Sequence, residues 1–181
     1  TACHHDVHEV GLGMVGHWLV PGCVKVHSIA TTPGEGKRML QADVVTALGT
    51  MSGTSLDGVD AALLVTDGVE IIGFGATSYR PYSTVEQTVW RGGVGLWQEE
   101  GVTLAARLVE AAHCEVMRSL GRAAIAGFHG QTLAHDPGGR GTHQCGDGQR
   151  LANALGYPVA WDFRTADVAA GGQGAPLAPF F

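Results

Sequence analysis

From position 43 onward the apolar positions follow two different periods. Asp43-Val44-Val45-Thr46-Ala47-Leu48-Gly49-Thr50 is an apolar-rich run that reads as a buried strand. Met51 to Gly58 is a Gly/Ser/Thr/Asp turn, and Val59-Asp60-Ala61-Ala62-Leu63-Leu64-Val65 is a second strand, so the two form a hairpin. Asp67-Gly68 turns the chain again, and Val69 to Tyr79 suits a third strand. The period then lengthens. Ser83 and Glu86 have capping-box spacing and start a short helix that ends at Gly92-Gly93. Ala105, Leu108, Val109, Ala112, Val116 and Leu120 recur every three or four residues, which predicts a helix over about 102–120 with Gly121 as its C-cap. Ala123 to Phe128 is a short buried strand that ends in His129-Gly130-Gln131-Thr132, and a Gly-rich loop is expected to follow. Thr142 to Cys145 forms a brief strand, Asp147 caps a helix that runs to Leu155 and stops at Gly156, and Pro158 to Phe163 is the last strand. The final 18 residues read as loop. Strands first, then strands alternating with helices, predict a mixed α/β sheet.

Residues 1–38 lack this patterning. They hold five of the nine histidines and two of the four cysteines, and they close on Thr31-Thr32-Pro33-Gly34-Glu35-Gly36-Lys37-Arg38, a linker composition. They are read as an N-terminal extension, disordered or non-native, in front of a domain at 39–181.

Composition narrows the function classes. Of the 181 residues 45% are apolar, enough for a packed core and too many for wholesale disorder. The net charge of −6 leaves no basic stripe to displace counterions, so neither a nucleic acid nor an anionic membrane surface is an expected partner. Four cysteines without a CxxC pair, no apolar run of about 18 residues and no evident leader point to a reducing, cytoplasmic setting. The 28 glycines cluster between apolar runs, as they do where backbone turns tightly or approaches a ligand.

Three segments carry candidate chemistry. In Gly49-Thr50-Met51-Ser52-Gly53-Thr54-Ser55-Leu56-Asp57-Gly58-Val59-Asp60, glycines let successive N–H groups face one anion and hydroxyls add donors. Asp57 or Asp60 would suit a magnesium ion held partly through water. The segment reads either as a phosphate cradle or as a polar hairpin turn, and it lacks the lysine and following helix of a P-loop. His129-Gly130-Gln131-Thr132 lies at a strand end, where α/β sheets bind ligands, and suits sugar hydroxyls or an acyl group; it also suits a loop that caps its own backbone. Asp162-Phe163-Arg164, Asp167 and Gly171-Gly172-Gln173-Gly174-Ala175-Pro176 offer an arginine fork and carboxylates after a buried strand, for a substrate anion or for a surface ion pair. Weaker features are a literal GxGxxG at 11–16 without its βαβ context, a Cys3/His4/His5/His8 group of zinc-ligand types, and Gly53-Thr54-Ser55-Leu56-Asp57, which narrowly misses a nucleophile elbow.

The motifs together resemble the anhydro-N-acetylmuramic acid kinase family. Met51 to Asp60 is similar to the family's opening block, His129-Gly130-Gln131-Thr132 to its second, and Thr142-His143-Gln144-Cys145-Gly146-Asp147 to its T-x-Q-x-G-D block. Asp162-Phe163-Arg164 with Asp167-Val168-Ala169 and Gly171 to Leu177 is similar to its fourth. The resemblance covers about 43–181. It implies an actin-like (ribonuclease H-like) α/β ATPase fold, cut before the second domain, and ATP with Mg2+. It implies phosphorylation of 1,6-anhydro-N-acetylmuramic acid with hydrolytic opening of the anhydro ring, in cell-wall recycling. Gly53, Thr54, Ser55, Leu56, Asp57, Gly58, Val59 and Asp60 would bind ATP phosphates. His129, Gln131, Arg164 and Asp167 would lie near the sugar. The catalytic base would belong to a later block, beyond residue 181, so this chain alone is expected to be inactive, and the full-length protein would form a homodimer. Two rival classes stay open: a small hydrolase using Ser52 or Ser55 with His129 and an aspartate, and a non-catalytic sugar- or nucleotide-binding module.

Overall fold

The computed structural model describes residues 28–30 and 44–174. The GxGxxG segment, the Cys3/His4/His5/His8 group, the linker at 31–38 and the Ala175-Pro176-Leu177 end of the fourth block lie outside the described residues.

The described residues form eight strands and four helices, a mixed α/β set as expected. The strands are β1 (Ser28–Ala30), β2 (Val45–Ser52), β3 (Gly58–Thr66), β4 (Ile71–Pro81), β5 (Ile125–Phe128), β6 (Gln131–Asp136), β7 (Gly141–Cys145) and β8 (Val159–Trp161). The helices are α1 (Thr84–Gly93), α2 (Thr103–Ser119), α3 (Gly148–Leu155) and α4 (Thr165–Ala169). Six strands form one sheet in the order β1-β8-β5-β2-β3-β4, and β6 and β7 form a separate two-stranded ribbon. β2, β3 and β4 pair antiparallel. β5 then runs parallel to β2, and β8 parallel to β5. Each parallel step needs a crossover, and α2 and α3 supply those connections.

Local sequence explains most of the boundaries. The capping box of α1 is formed: the Ser83 hydroxyl accepts from the Glu86 N–H, and the Glu86 carboxylate accepts from the Ser83 N–H. Asp147 caps α3, and Gly156 ends it at φ 76°. Along α2 the apolar stripe is buried, with Ala105, Val109, Ala112 and Val116 turned into one core with Leu48, Val59, Ala61, Phe128 and Val159 of the sheet. Trp90 of α1 joins that core and is wholly buried.

Four expectations change. The segment from Gln131 to Asp136 is a strand and not loop, because Gln131, Thr132 and Ala134 pair with Cys145, Gln144 and His143. Thr165–Ala169 is a helical turn within the stretch read as loop. The last strand stops at Trp161, because Asp162 takes φ 56° and turns the chain out of the sheet. Within the presumed extension, Ser28–Ala30 adds an edge strand antiparallel to β8.

His113 on α2 gives the fold a measurable pH dependence. Its ring is fully buried, edge-on to Phe128 at 4.8 Å and 81°. Nδ1–H donates to the Val109 carbonyl at 2.8 Å, and Nε2 is buried without a partner among the described residues. Burial pushes its pKa down from 6.5 to about 4. As pH falls below about 6.5 the unfolded chain therefore takes up this proton first. The stability present above that pH drains away down to about 4, by roughly 3 kcal/mol from this group. Burial also holds His129 below the ordinary histidine range, which acts in the same direction. Urea unfolding between pH 4 and 7 should show the loss, and His113→Leu should flatten it relative to wild type. An unchanged slope in the variant would reject this assignment.

Candidate active site

The first motif is a rigid turn with free donors at its tip. β2 continues through Ser52, and the Leu56 N–H closes the turn on the Gly53 carbonyl at 3.2 Å. Leu56 adopts φ 59°, a conformation that side chains rarely take, and is held there by burial. The turn is pinned from outside as well: the Gln87 amide donates to the Leu56 carbonyl at 2.9 Å, and the Tyr82 N–H to the Asp57 carbonyl at 2.8 Å. Thr54, Ser55 and Asp57 are exposed, and their side chains make no hydrogen bond or ion pair among the described residues. Fixed backbone with uncommitted hydroxyls is what an anion cradle requires. Gly58 and Val59 sit beneath it in β3, both buried.

The second motif is tied to the first. The buried Ser52 hydroxyl donates to Gln131 Oε1 at 2.6 Å, and Gln131 Nε2 donates to the Gly53 carbonyl at 3.4 Å. One glutamine thus fixes the turn against the start of β6. Gly130 makes the corner between β5 and β6 at φ 73°, and a Cβ there would lie 2.7 Å from the Cys145 carbonyl oxygen.

His129 is bound to Arg164. Its Nδ1–H donates to the Gly130 carbonyl at 3.0 Å, so Nε2 is the acceptor that faces Arg164 Nε and Nη2, at 3.1 and 2.8 Å. Burial, with the Arg164 charge adding to it, keeps this imidazole neutral. Neither Ser52 nor Ser55 is hydrogen-bonded to His129, so the described residues contain no Ser–His pair of the kind a serine hydrolase uses.

Where β5 and β8 end, a cavity of about 530 Å3 opens, large enough for a monosaccharide. His129 and Gly130 line it from β5, Gln144 and Asp147 from the β7 side, Asp162 and Thr165 from the β8 side, and Thr103 and Arg107 from α2. Gln144 Nε2 donates to Thr142 Oγ1 at 2.9 Å and leaves Oε1 buried without a partner among the described residues, an acceptor for a ligand hydroxyl. Glu110, behind the wall, is buried and grips Arg150 in a fork of 2.8 and 2.6 Å.

The structure sorts the sequence-predicted residues. It brings His129 to the cavity and Gln131 to the junction with the turn. Arg164 stands behind His129 and steadies it. Asp167 does not line the cavity: its Oδ2 accepts the Gly174 N–H at 2.7 Å and its carbonyl the Gly172 N–H at 2.8 Å, which fastens the Gly171–Gly174 loop. Asp60 lies on the outer face of the sheet in a groove with Met51 and Tyr79, while Asp57 stands at the turn. Among the described residues no three His, Cys, Asp or Glu converge on a metal position. A magnesium ion shared with phosphates needs only one or two protein carboxylates, which Asp57 fits. Of the other cavity residues, Asp162 belongs to the third candidate segment and Gln144 to the T-x-Q-x-G-D block, whereas Arg107 carries no sequence signal beyond its place in a helix patterned by its apolar stripe.

A mixed α/β sheet whose strand ends frame a polar cavity beside a glycine- and hydroxyl-rich turn is the architecture of a small-ligand-binding α/β domain. The family model for anhydro-N-acetylmuramic acid kinase matches residues 45–181. The chain belongs to that family. It is 65% identical over 144 residues to the anhydro-N-acetylmuramic acid kinase of Cereibacter sphaeroides, covering 79% of this chain and 39% of that protein. It is 58% identical over 146 residues to that of a Ruegeria species, covering 81% and 39%. With that of Nitrobacter winogradskyi it shares 46% identity over 154 residues, covering 76% and 42%. The chain thus spans about two fifths of the length of these relatives. No helix among the described residues is long and apolar enough to cross a membrane.

Proposed function

We propose that these residues form the sugar side and first phosphate loop of an ATP-dependent kinase that opens and phosphorylates 1,6-anhydro-N-acetylmuramic acid in cytoplasmic cell-wall recycling. The observation that carries the reading is the cavity at the ends of β5 and β8, joined through Gln131 and Ser52 to the turn at Gly53–Asp60. The sheet order, three antiparallel strands followed by two parallel ones, supports an actin-like (ribonuclease H-like) fold. The homodimer implied by the resemblance belongs to the same proposal.

In this reading a water attacks C1 of the sugar, its proton passes to Asp162, and the C1–O6 bond breaks. O6 takes the γ-phosphoryl group and ADP leaves, which gives N-acetylmuramic acid 6-phosphate. Asp162 is the base because its carboxylate lines the cavity and only Oδ1 is engaged, by the Thr165 hydroxyl. The resemblance instead puts the base in a block beyond residue 181, and the Asp162→Asn variant distinguishes the two. Thr54, Ser55 and the backbone of the turn hold the phosphates, and phosphoryl transfer depends mainly on such positioning. Mg2+ held at Asp57 would supply charge neutralisation on those phosphates.

Titration calorimetry of the chain with 1,6-anhydro-N-acetylmuramic acid should show saturable one-to-one binding, weakened about tenfold or more by His129→Ala. No binding at millimolar sugar would sink the reading.

A further inference from the structure

We propose that Arg107 recognises the carboxylate of the substrate's lactyl ether and so selects a muramic acid over a neutral amino sugar. The inference rests on the function proposed above and adds a residue that discriminates between substrates. Two arginines line the cavity, Arg107 and Arg150. The charge of Arg150 is already matched: Nε and Nη2 hold Glu110 at 2.8 and 2.6 Å, and Nη1 lies 3.2 Å from Asp147. Glu110 is used up by this fork and by the Asp147 N–H at 3.0 Å. Arg107 is left with an ion-pair approach of 3.7 Å to Glu110, without a hydrogen bond, and its side chain is 60% exposed. Its planar set of N–H donors is therefore available, and that set matches a carboxylate in bidentate geometry. Thr103, one turn earlier on α2, also lines the cavity and is exposed.

The chemistry of the sugar uses two walls. The anhydro bridge joins C1 and C6, and the lactyl ether leaves from O3 across the ring. A molecule with C1 at Asp162, beyond β8, sends its carboxylate toward another part of the lining. Arg107, on α2, is the cation on that lining with capacity to receive it. An amino sugar without the lactyl group would leave Arg107 in water and gain nothing from it.

The test compares 1,6-anhydro-N-acetylmuramic acid with 1,6-anhydro-N-acetylglucosamine, which lacks the lactyl ether, by calorimetric titration of the full chain. Wild type should favour the acid by about 10- to 100-fold. Arg107→Gln should abolish that preference by weakening the acid alone, with the neutral sugar bound within about twofold of wild type, and Arg107→Lys should restore part of it. An unchanged melting curve would show that the exposed substitution leaves the fold intact. Equal binding of both sugars by wild type, or a preference that survives Arg107→Gln, would overturn the assignment. If wild type binds neither sugar, the proposed function itself fails, a result distinct from the other two.

Discussion

Asp162→Asn is expected to lower kcat by about 10²- to 10⁴-fold while leaving the sugar's affinity within a few fold. The measurement needs a complete cleft. A chimera in which residues 45–181 replace their counterparts in the 65% identical relative supplies one, with sugar phosphate followed by mass spectrometry. Asparagine is a conservative replacement here. It keeps the side-chain oxygen that accepts from Thr165, and it tolerates the positive φ of 56° better than most residues. It removes only the ability to take a proton. The neighbouring acids are committed elsewhere: Asp147 accepts the Gln149 and Arg150 N–H groups that start α3, and Glu110 is forked to Arg150. Asp167 fastens a glycine loop outside the cavity. If the asparagine chimera turns over within a few fold of the parent, the base lies elsewhere, and the block beyond residue 181 implied by the resemblance becomes the better place for it. A matched loss of kcat and affinity would instead mark Asp162 as a binding group.

Most of the fold was legible because each element carries its own punctuation. The Ser83–Glu86 box, the stripe on α2 and the Gly156 stop are local devices, and the structure places α1, α2 and α3 within a residue or two of the predicted bounds. What was not legible depends on partners distant in sequence. Gln131 to Asp136 carries two charged or titratable side chains at its end and reads as loop until β7 is there to pair with it. Asp162 and Arg164 sit two residues apart and look interchangeable as polar groups after a strand. The positive φ at Asp162 turns its carboxylate to the cavity, while Arg164 goes behind His129. The two aspartates proposed for magnesium are separated in the same way, since the pleat of β3 sends Asp60 to the outer face of the sheet, away from the turn. The shape of the cavity follows from four elements, β5, β7, β8 and α2, that meet only in the folded chain.

The second large effect is expected at Gly146, the fifth residue of the Thr-x-Gln-x-Gly-Asp block. Its φ is 116°, outside the region where non-glycine residues are commonly found, and a Cβ there would sit 2.6 Å from Phe128 Cζ and 3.0 Å from Cε1. Phe128 has no room to withdraw. Its side chain is 1% exposed and is held edge-on by His113, and Val109 Cγ1 closes the other side at 3.4 Å from the same Cβ. Gly146→Ala therefore combines backbone strain of about 1–3 kcal/mol with overpacking of about 1–3 kcal/mol, so a loss of about 4 kcal/mol is expected in chemical denaturation. The two parts can be separated. Phe128→Leu in the Gly146→Ala background relieves the clash without touching the strain, so the double variant should be less damaged than the sum of the single changes, with a coupling of about 1–2 kcal/mol. Strict additivity would mean that Phe128 is not what excludes a side chain at this position. Because Gly146 and Phe128 both line the cavity, the same double variant should bind the sugar more weakly than wild type even where its stability has been recovered. Full recovery of both would show that the glycine serves only the packing and not the shape of the site.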